Sequence, residues 1–179
     1  MEKVGFVILT WNSEKVIGNC LASIAKLKNY ILSVVIVDNG SVDRTREIIS
    51  EKRKCFCNGN KLEIIPFDTN MGTTKSRNIG LRKITHVDWV CILDSDTVVN
   101  QEAIDEMIAV LKENDKNGMV GPRMITSSGV VQNSGRHIPT VTEKICKVLP
   151  LKKAKDYAEK LEKYEGIGDE KIIPVGYLM

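Results

Sequence analysis

Two carboxylates, Asp94 and Asp96, stand one residue apart at the end of the apolar run in WVCILDSDTVVN, residues 89–100. Carboxylates this close repel one another unless a cation lies with them. An all-oxygen pair suits a hard divalent ion, Mg2+ or Mn2+, which keeps some water and takes further ligands from phosphate oxygens. Such an ion would neutralise charge on a departing diphosphate. Asp-x-Asp is a short pattern that chance produces often, and acids are common in turns. Its place directly after a strand-like run is what gives this pair weight.

Other apolar runs also end in polar groups. VGFVILT ends at Thr10, Trp11 and Asn12, and SVVIVD ends at Asp38, Asn39 and Gly40. The stretch after KLEIIPF carries Asp68, Asn70 and Gly72. In a parallel sheet these ends share one rim, where ligands bind. Asp38 can accept from N–H donors of a ligand at that rim. Arg77 can pair with phosphate oxygens, the plain alternative being a surface helix charge. Cap and turn chemistry accounts for Asn100 and covers Asp43.

The elements that must position these groups alternate. KVGFVILT reads as a strand, and Ser13 can cap a helix with Val16, Ile17, Cys20, Leu21, Ile24 and Ala25 at helical spacing. SVVIVD is β-branched on both faces, which suits a parallel strand covered on both sides. Ser41 or Asp43 caps RTREIISEKR, KLEIIPF is a third strand, and TTKSRNIGLRKI a third helix. DWVCIL is a fourth strand, Asn100 caps a fourth helix, and GMVGPRM reads as a fifth strand. Four strand–helix units predict an α/β fold with a mostly parallel, Rossmann-like sheet flanked by helices. Beyond residue 125 the rhythm changes to hairpin-like SSGVVQNSGRHIPTV and an amphipathic helix in LKKAKDYAEKLEKYEG. The mixed charges of that helix favour a solvated face over membrane docking, and peripheral membrane association stays open.

Composition narrows the classes. The 179 residues suffice for one domain with a core. A net charge of +3 does not argue for nucleic acid. No run approaches the roughly 18 apolar residues of a membrane span. The N-terminal run lacks a small-residue cleavage site and reads as a strand. Five cysteines without a leader suggest reduced thiols and a cytoplasmic setting. Cys55 and Cys57 read as loop thiols rather than half of a zinc site, since no second close cysteine pair accompanies them.

Four segments, taken together and in order, resemble the family 2 glycosyltransferases of the GT-A fold over essentially the whole chain. They are VILTWNSEKVIGNCLASI, VVIVDNGSVDRTREII, NMGTTKSRNIGL and WVCILDSDTVV. DNGS and MVGPRM lean toward the rhamnosyltransferase-like branch. The resemblance implies transfer of a sugar from a nucleotide-diphosphate donor, UDP- or dTDP-type favoured, to a glycan, lipid-linked or protein acceptor. It implies that Thr10, Asn12 and Glu14 lie in the first nucleotide-contacting loop and that Asp38 reads the base. Arg77 would lie near base and pyrophosphate, Asp94 near ribose and donor sugar, and Asp96 would be the principal ligand of Mn2+ or Mg2+.

Inverting members carry a carboxylate base in a later acidic motif, and no convincing match appears here. Glu165, Asp169 and Glu170 precede the terminal KIIPVGYLM, which reads as a strand entering a core. The expectation is therefore a single domain, residues 1–125 forming the donor core and 126–179 leading into an acceptor half, with the base outside this polypeptide. His137 is a loop histidine that could complete a metal site. Two other readings compete. A non-catalytic nucleotide-sugar-binding module would bind donor and transfer nothing. A haloacid-dehalogenase-type phosphatase would use Asp94 of DSDTV as nucleophile, but that motif should open its fold.

Overall fold

Alternation along the first strand decides which helices cover which face of the sheet. In the computed structural model, which describes residues 1–122, 124–125, 131–132, 141 and 145, β1 (Glu2–Thr10) sends Val4, Phe6 and Ile8 to one face and Val7 and Leu9 to the other. β2 (Tyr30–Asp38) does the same with Leu32, Val34 and Ile36 against Val35 and Val37. Successive side chains of a strand point to opposite faces, so a strand apolar at nearly every position must be covered twice.

The first face packs α1 (Ile17–Ile24), Ile49 of α2 (Thr45–Lys52), and Ile104 and Ile108 of α4 (Gln101–Glu113). The second face lies under α3 (Thr73–Lys83), where Leu81 and Ile84 meet Val7, Val35 and Val37. With β3 (Lys61–Pro66) and β4 (Trp89–Asp94), the four strands form a parallel sheet of order β3-β2-β1-β4. The expected α/β sheet with helices on both faces is what the chain forms.

Cap chemistry divides. Asn100 Oδ1 accepts from Ala103 N at 2.8 Å and opens α4 as expected. Asp43 Oδ1 accepts from Thr45 N at 3.0 Å at the start of α2. Ser13 does not cap α1 with its side chain: its carbonyl accepts from Val16 and Ile17, and its own N–H goes to Thr45 Oγ1.

The chain divides into two compact units, Met1–Lys112 and Glu113–Met179. In the second, β5 (Met124–Ile125) pairs antiparallel with β6 (Val131–Gln132). This corrects the reading of GMVGPRM as a fifth strand, because residues 118–122 carry no regular structure. Gly118 and Gly121 weaken a strand, and Pro122 has no N–H for a ladder. The helix expected in 151–166, the terminal strand and His137 lie outside the described residues.

One close approach sets the height of α3 above the sheet. A Cβ on Gly80 would lie 2.5 Å from Val7 Cγ1 and 3.1 Å from Val37 Cγ2, both on stiff, buried β-branched side chains. Gly5 also faces a close neighbour, but that is the far end of Ile84, which can turn away. Gly80→Ala is expected to cost about 1–3 kcal/mol through overpacking, despite alanine's better helix propensity. Urea unfolding of the variant against wild type checks it.

Candidate functional site

The strand order contains a switch point. From β1 the chain steps outward to β2 and β3, then returns to the opposite side of β1 as β4. Crossovers before and after this point run in opposite directions, which opens a crevice outside the carboxyl ends of β1 and β4. Thr10 stands beside Asp38 in the β1–β2 register, and Leu9 beside Asp94 in the β1–β4 register. Two interstrand spacings therefore separate the ends bearing Asp38 and Asp94, about 10 Å. All seven residues expected from the sequence lie along this rim or reach it: Thr10, Asn12, Glu14, Asp38, Arg77, Asp94 and Asp96.

The first two loops are sewn together by side chains. Asn12 adopts a left-handed backbone, φ 49°, which asparagine tolerates better than most residues. Its N–H donates to Ser41 Oγ at 2.9 Å, and its Oδ1 accepts from Val42 N at 2.9 Å. Glu14 N donates to Asp43 Oδ2 at 3.1 Å, while Arg44 N donates to Glu14 Oε2 at 3.1 Å. Asn12 and Glu14 thus spend their functional groups on the second loop. Burial works against the charge on Asp43, but hydrogen bonds from Thr45 and from the Glu14 N–H outweigh it and hold its carboxyl below the ordinary 3.8.

A second knot joins the β2 end to the loop before α3. The Asn39 Oδ1 accepts from Met71 N at 2.8 Å and Ser76 Oγ at 3.0 Å, which fixes its amide orientation. Its Nδ2 then donates to Asn70 Oδ1 at 2.7 Å, an oxygen that also accepts from Gly72 N. Gly40 is required beside it: φ is +83°, and a Cβ would lie 2.9 Å from the Thr69 carbonyl carbon. Sequence reading placed Asn39 among the strand-end polar groups without giving it a role, read Ser41 as a candidate cap, and took Ser76 only as part of a helix. Their clustering in two loops that a parallel sheet must bring together was the available signal.

The acids at the rim are handled differently. Asp38 is fully buried, and its oxygens accept from Ser41 Oγ and Arg46 Nε. Asp94 is 65 % exposed, with Oδ1 paired to Arg77 at 2.6 Å. Asp96 is exposed, and no hydrogen bond or ion pair among the described residues engages it. Ser13 Oγ and Ser95 Oγ meet at 2.8 Å across the crevice, tying the first loop to the acidic turn. Burial, with the nearby Asp96 and Cys91, pushes the Cys20 thiol up to about 11, so it is protonated at neutral pH.

Two buried polar atoms at this rim, Thr10 Oγ1 and Arg77 Nε, have no hydrogen-bond partner among the described residues. Buried polar atoms are rarely left so. An orphaned guanidinium N–H beside an exposed carboxylate fits an anionic ligand. The two carboxylates fit a hard divalent cation that takes its remaining ligands from that anion. Among the described residues no cluster of three or more His, Cys, Asp or Glu could hold a metal without it.

The family model for glycosyl transferase family 2 matches residues 6–171. Poly-beta-1,6-N-acetyl-D-glucosamine synthase from Staphylococcus epidermidis is 28% identical over 133 residues, 73% of this chain and 31% of the relative. The chain thus spans about a third of the length of the curated relatives it matches. The crystal structure of S. aureus TarS 1-349 in complex with UDP-GlcNAc is 28% identical, with a TM-score of 0.55 over 71% of this chain and 38% of that one. Mannosyltransferase PcManGT from Pyrobaculum calidifontis, in complex with GDP-Man and Mn2+, shares the fold at 22% identity and a TM-score of 0.55, over 60% of this chain and 32% of that one. The family match displaces the phosphatase reading, as does the place of Asp94 on the fourth strand rather than the first.

Two substitutions test the knots. Asp43→Ala should cost about 1 kcal/mol at pH 7 through loss of the bonds to Thr45 and Glu14. Because the folded carboxyl titrates lower than the unfolded one, its contribution is complete above the unfolded value of 3.8 and fades as pH falls through the folded value. Urea melts of wild type and variant at pH 7 and pH 3 should show the gap narrowing in acid. Asn39→Asp removes the donor to Asn70 and buries a second carboxylate next to Asp38. A loss of about 1–3 kcal/mol is expected from thermal melts.

Proposed function

This chain belongs to glycosyl transferase family 2, and we propose that it is the donor-binding portion of an inverting, metal-assisted glycosyltransferase that uses a uridine-diphosphate sugar. The observation that carries the reading is the Asp94–Arg77 pair beside Asp96, which has no partner among the described residues, at the switch point of a parallel sheet. N-acetylglucosamine is the first sugar to test. It appears in the names of both the synthase and the ligand of TarS.

In this reading the donor core, expected over residues 1–125, contains the compact unit Met1–Lys112, which carries all seven rim residues. Asp96, with Asp94 beside it, would hold Mn2+ or Mg2+, which supplies Lewis-acid neutralisation of the leaving diphosphate. Arg77 turns from Asp94 toward the diphosphate, and its orphaned Nε–H gains an acceptor. Thr10 Oγ1 is a second donor with no partner among the described residues, at the floor of the same crevice. Asn12 and Glu14 act indirectly, by fixing the first loop on the second. The group that takes the acceptor proton is assigned to none of the described residues. No helix among them is long and apolar enough to cross a membrane.

Calorimetry with UDP, dTDP, GDP and ADP, each with Mn2+ and then with EDTA, tests the reading. UDP should bind with metal and lose most of its affinity in EDTA. Asp96→Ala should lose the metal-dependent part, by roughly a hundredfold or more, with an unchanged melting temperature. No binding of any diphosphate, or an Asp96→Ala variant that binds UDP and Mn2+ like wild type, would overturn it.

A further inference from the structure

Asp94 and Asp96 are held side by side by groups that carry no charge. They flank Ser95 in a turn that the Thr97 N–H closes on the Asp94 carbonyl at 3.1 Å. Carboxylates so close repel, and a free turn would relax by spreading them. This turn is fastened at both ends. Ser95 Oγ meets Ser13 Oγ at 2.8 Å, and Val99 N donates to Ser23 Oγ at 3.1 Å. Ser13 precedes α1 and Ser23 lies in its last turn, so one helix and its approach carry the segment from 95 to 99. Exposure along that segment alternates. Asp94, Asp96 and Val98 are exposed, whereas Ser95, Thr97 and Val99 are half-buried. The acids face outward and the anchors face inward.

Both anchoring serines are buried and fixed in their turn. The Ser13 N–H donates to Thr45 Oγ1 at 2.7 Å, and the Ser13 hydroxyl donates to the Trp11 carbonyl at 3.3 Å. A hydroxyl has one proton, so Ser13 Oγ then accepts from the Ser95 hydroxyl. Ser23 Oγ donates to the Cys20 carbonyl at 2.7 Å and accepts from Val99 N. Each serine thus has its proton committed to a backbone carbonyl and a lone pair aimed at the acidic segment. Ser13 in addition joins three elements, the end of β1, the start of α2 and the turn after β4.

We propose that Ser13 and Ser23 are positioning residues for the divalent cation, holding the Asp94–Asp96 turn in its binding shape before the ion arrives. The inference rests on the donor reading above. With the turn fastened, the ion need not gather two repelling carboxylates itself, and the free energy of binding is not lost to ordering them. Groups that orient the ligands of a metal commonly change its affinity by roughly ten- to a hundredfold when removed.

The test titrates Mn2+ into UDP-saturated protein for wild type, Ser13→Ala, Ser95→Ala, the double variant, Ser95→Thr and Ser23→Ala. UDP binding in EDTA and a melting curve accompany each. The three single alanine variants should each weaken Mn2+ by roughly tenfold and leave UDP binding in EDTA unchanged. The double variant should be no weaker than the weaker of its two singles, because both break the same bond. Ser95→Thr keeps the hydroxyl and should bind Mn2+ like wild type. Ser95 is the less buried partner, so its two variants decide the matter if Ser13→Ala does not fold. Equal losses with Mn2+ and in EDTA would mean that the serines serve the scaffold alone, and would overturn the proposal. So would folded alanine variants with wild-type Mn2+ affinity, additive losses in the double variant, or a Ser95→Thr variant as weak as Ser95→Ala. Binding of no diphosphate by wild type, or UDP binding indifferent to Mn2+, would instead sink the donor reading itself, and this inference with it.

Discussion

The site depends on how a parallel strand pair ends. β1 and β2 run in register to Thr10 and Asp38, and the ladder continues by one bond from Asn39 N to Thr10 O. Beyond that point both chains must turn toward helices, and their backbone groups still need partners. Side chains supply them across the gap: Ser41 to Asn12, Asn12 to Val42, Thr45 to Ser13, Asp43 to Glu14. Two loops are thereby joined into one hydrogen-bonded rim. Asn39 extends the same solution to the loop before α3. The motif residues of these loops are chiefly the material from which the site is built, and only some of them are left to meet a ligand.

Charge at the rim follows the same economy. Asp38 is buried and would be costly without a cation, and Arg46 provides one while tying β2 to β3. Asp94 is open to solvent and paired with Arg77, whose helix α3 covers the opposite face of the sheet from α1. Arg77 is 23 % and Asp94 65 % exposed, so the carboxylate end of that pair is the one open to solvent and to a competing ligand. Asp96 is left unengaged among the described residues. A deeply fixed pair, a partly open pair and an unengaged acid thus lie in sequence along about 10 Å of strand ends. A polyanionic ligand with a cation would compete with the second and third and leave the first intact.

The closest fit in the fold is made by glycine. Gly80 lets α3 lie against Val7 and Val37, and that closeness allows Arg77, three residues earlier, to reach the end of β4. Packing density in one layer therefore sets side-chain reach at the site. Where glycine and proline fall together, at Gly118, Gly121 and Pro122, they instead stop a strand that the apolar residues alone suggested.

The sequence by itself determined the α/β class, the four strand–helix units, the cap at Asn100, the turn at Asp43, and the strand ends on which the polar residues stand. Those depend on periodicity, on turn chemistry and on the rule that ligands meet the carboxyl ends of parallel strands, all of which are local or topological. Only the tertiary structure decided which of those polar groups point at one another. Asn12 and Glu14 became stitches, Asp38 was sealed behind Arg46, and Ser13 bonded to the second loop instead of capping its own helix. The reason is physical. A hydrogen-bonding side chain shows in sequence what it can bond to, but for Asn12, Ser13 and Glu14 the partner lies about thirty positions away, and the sheet register brings it alongside.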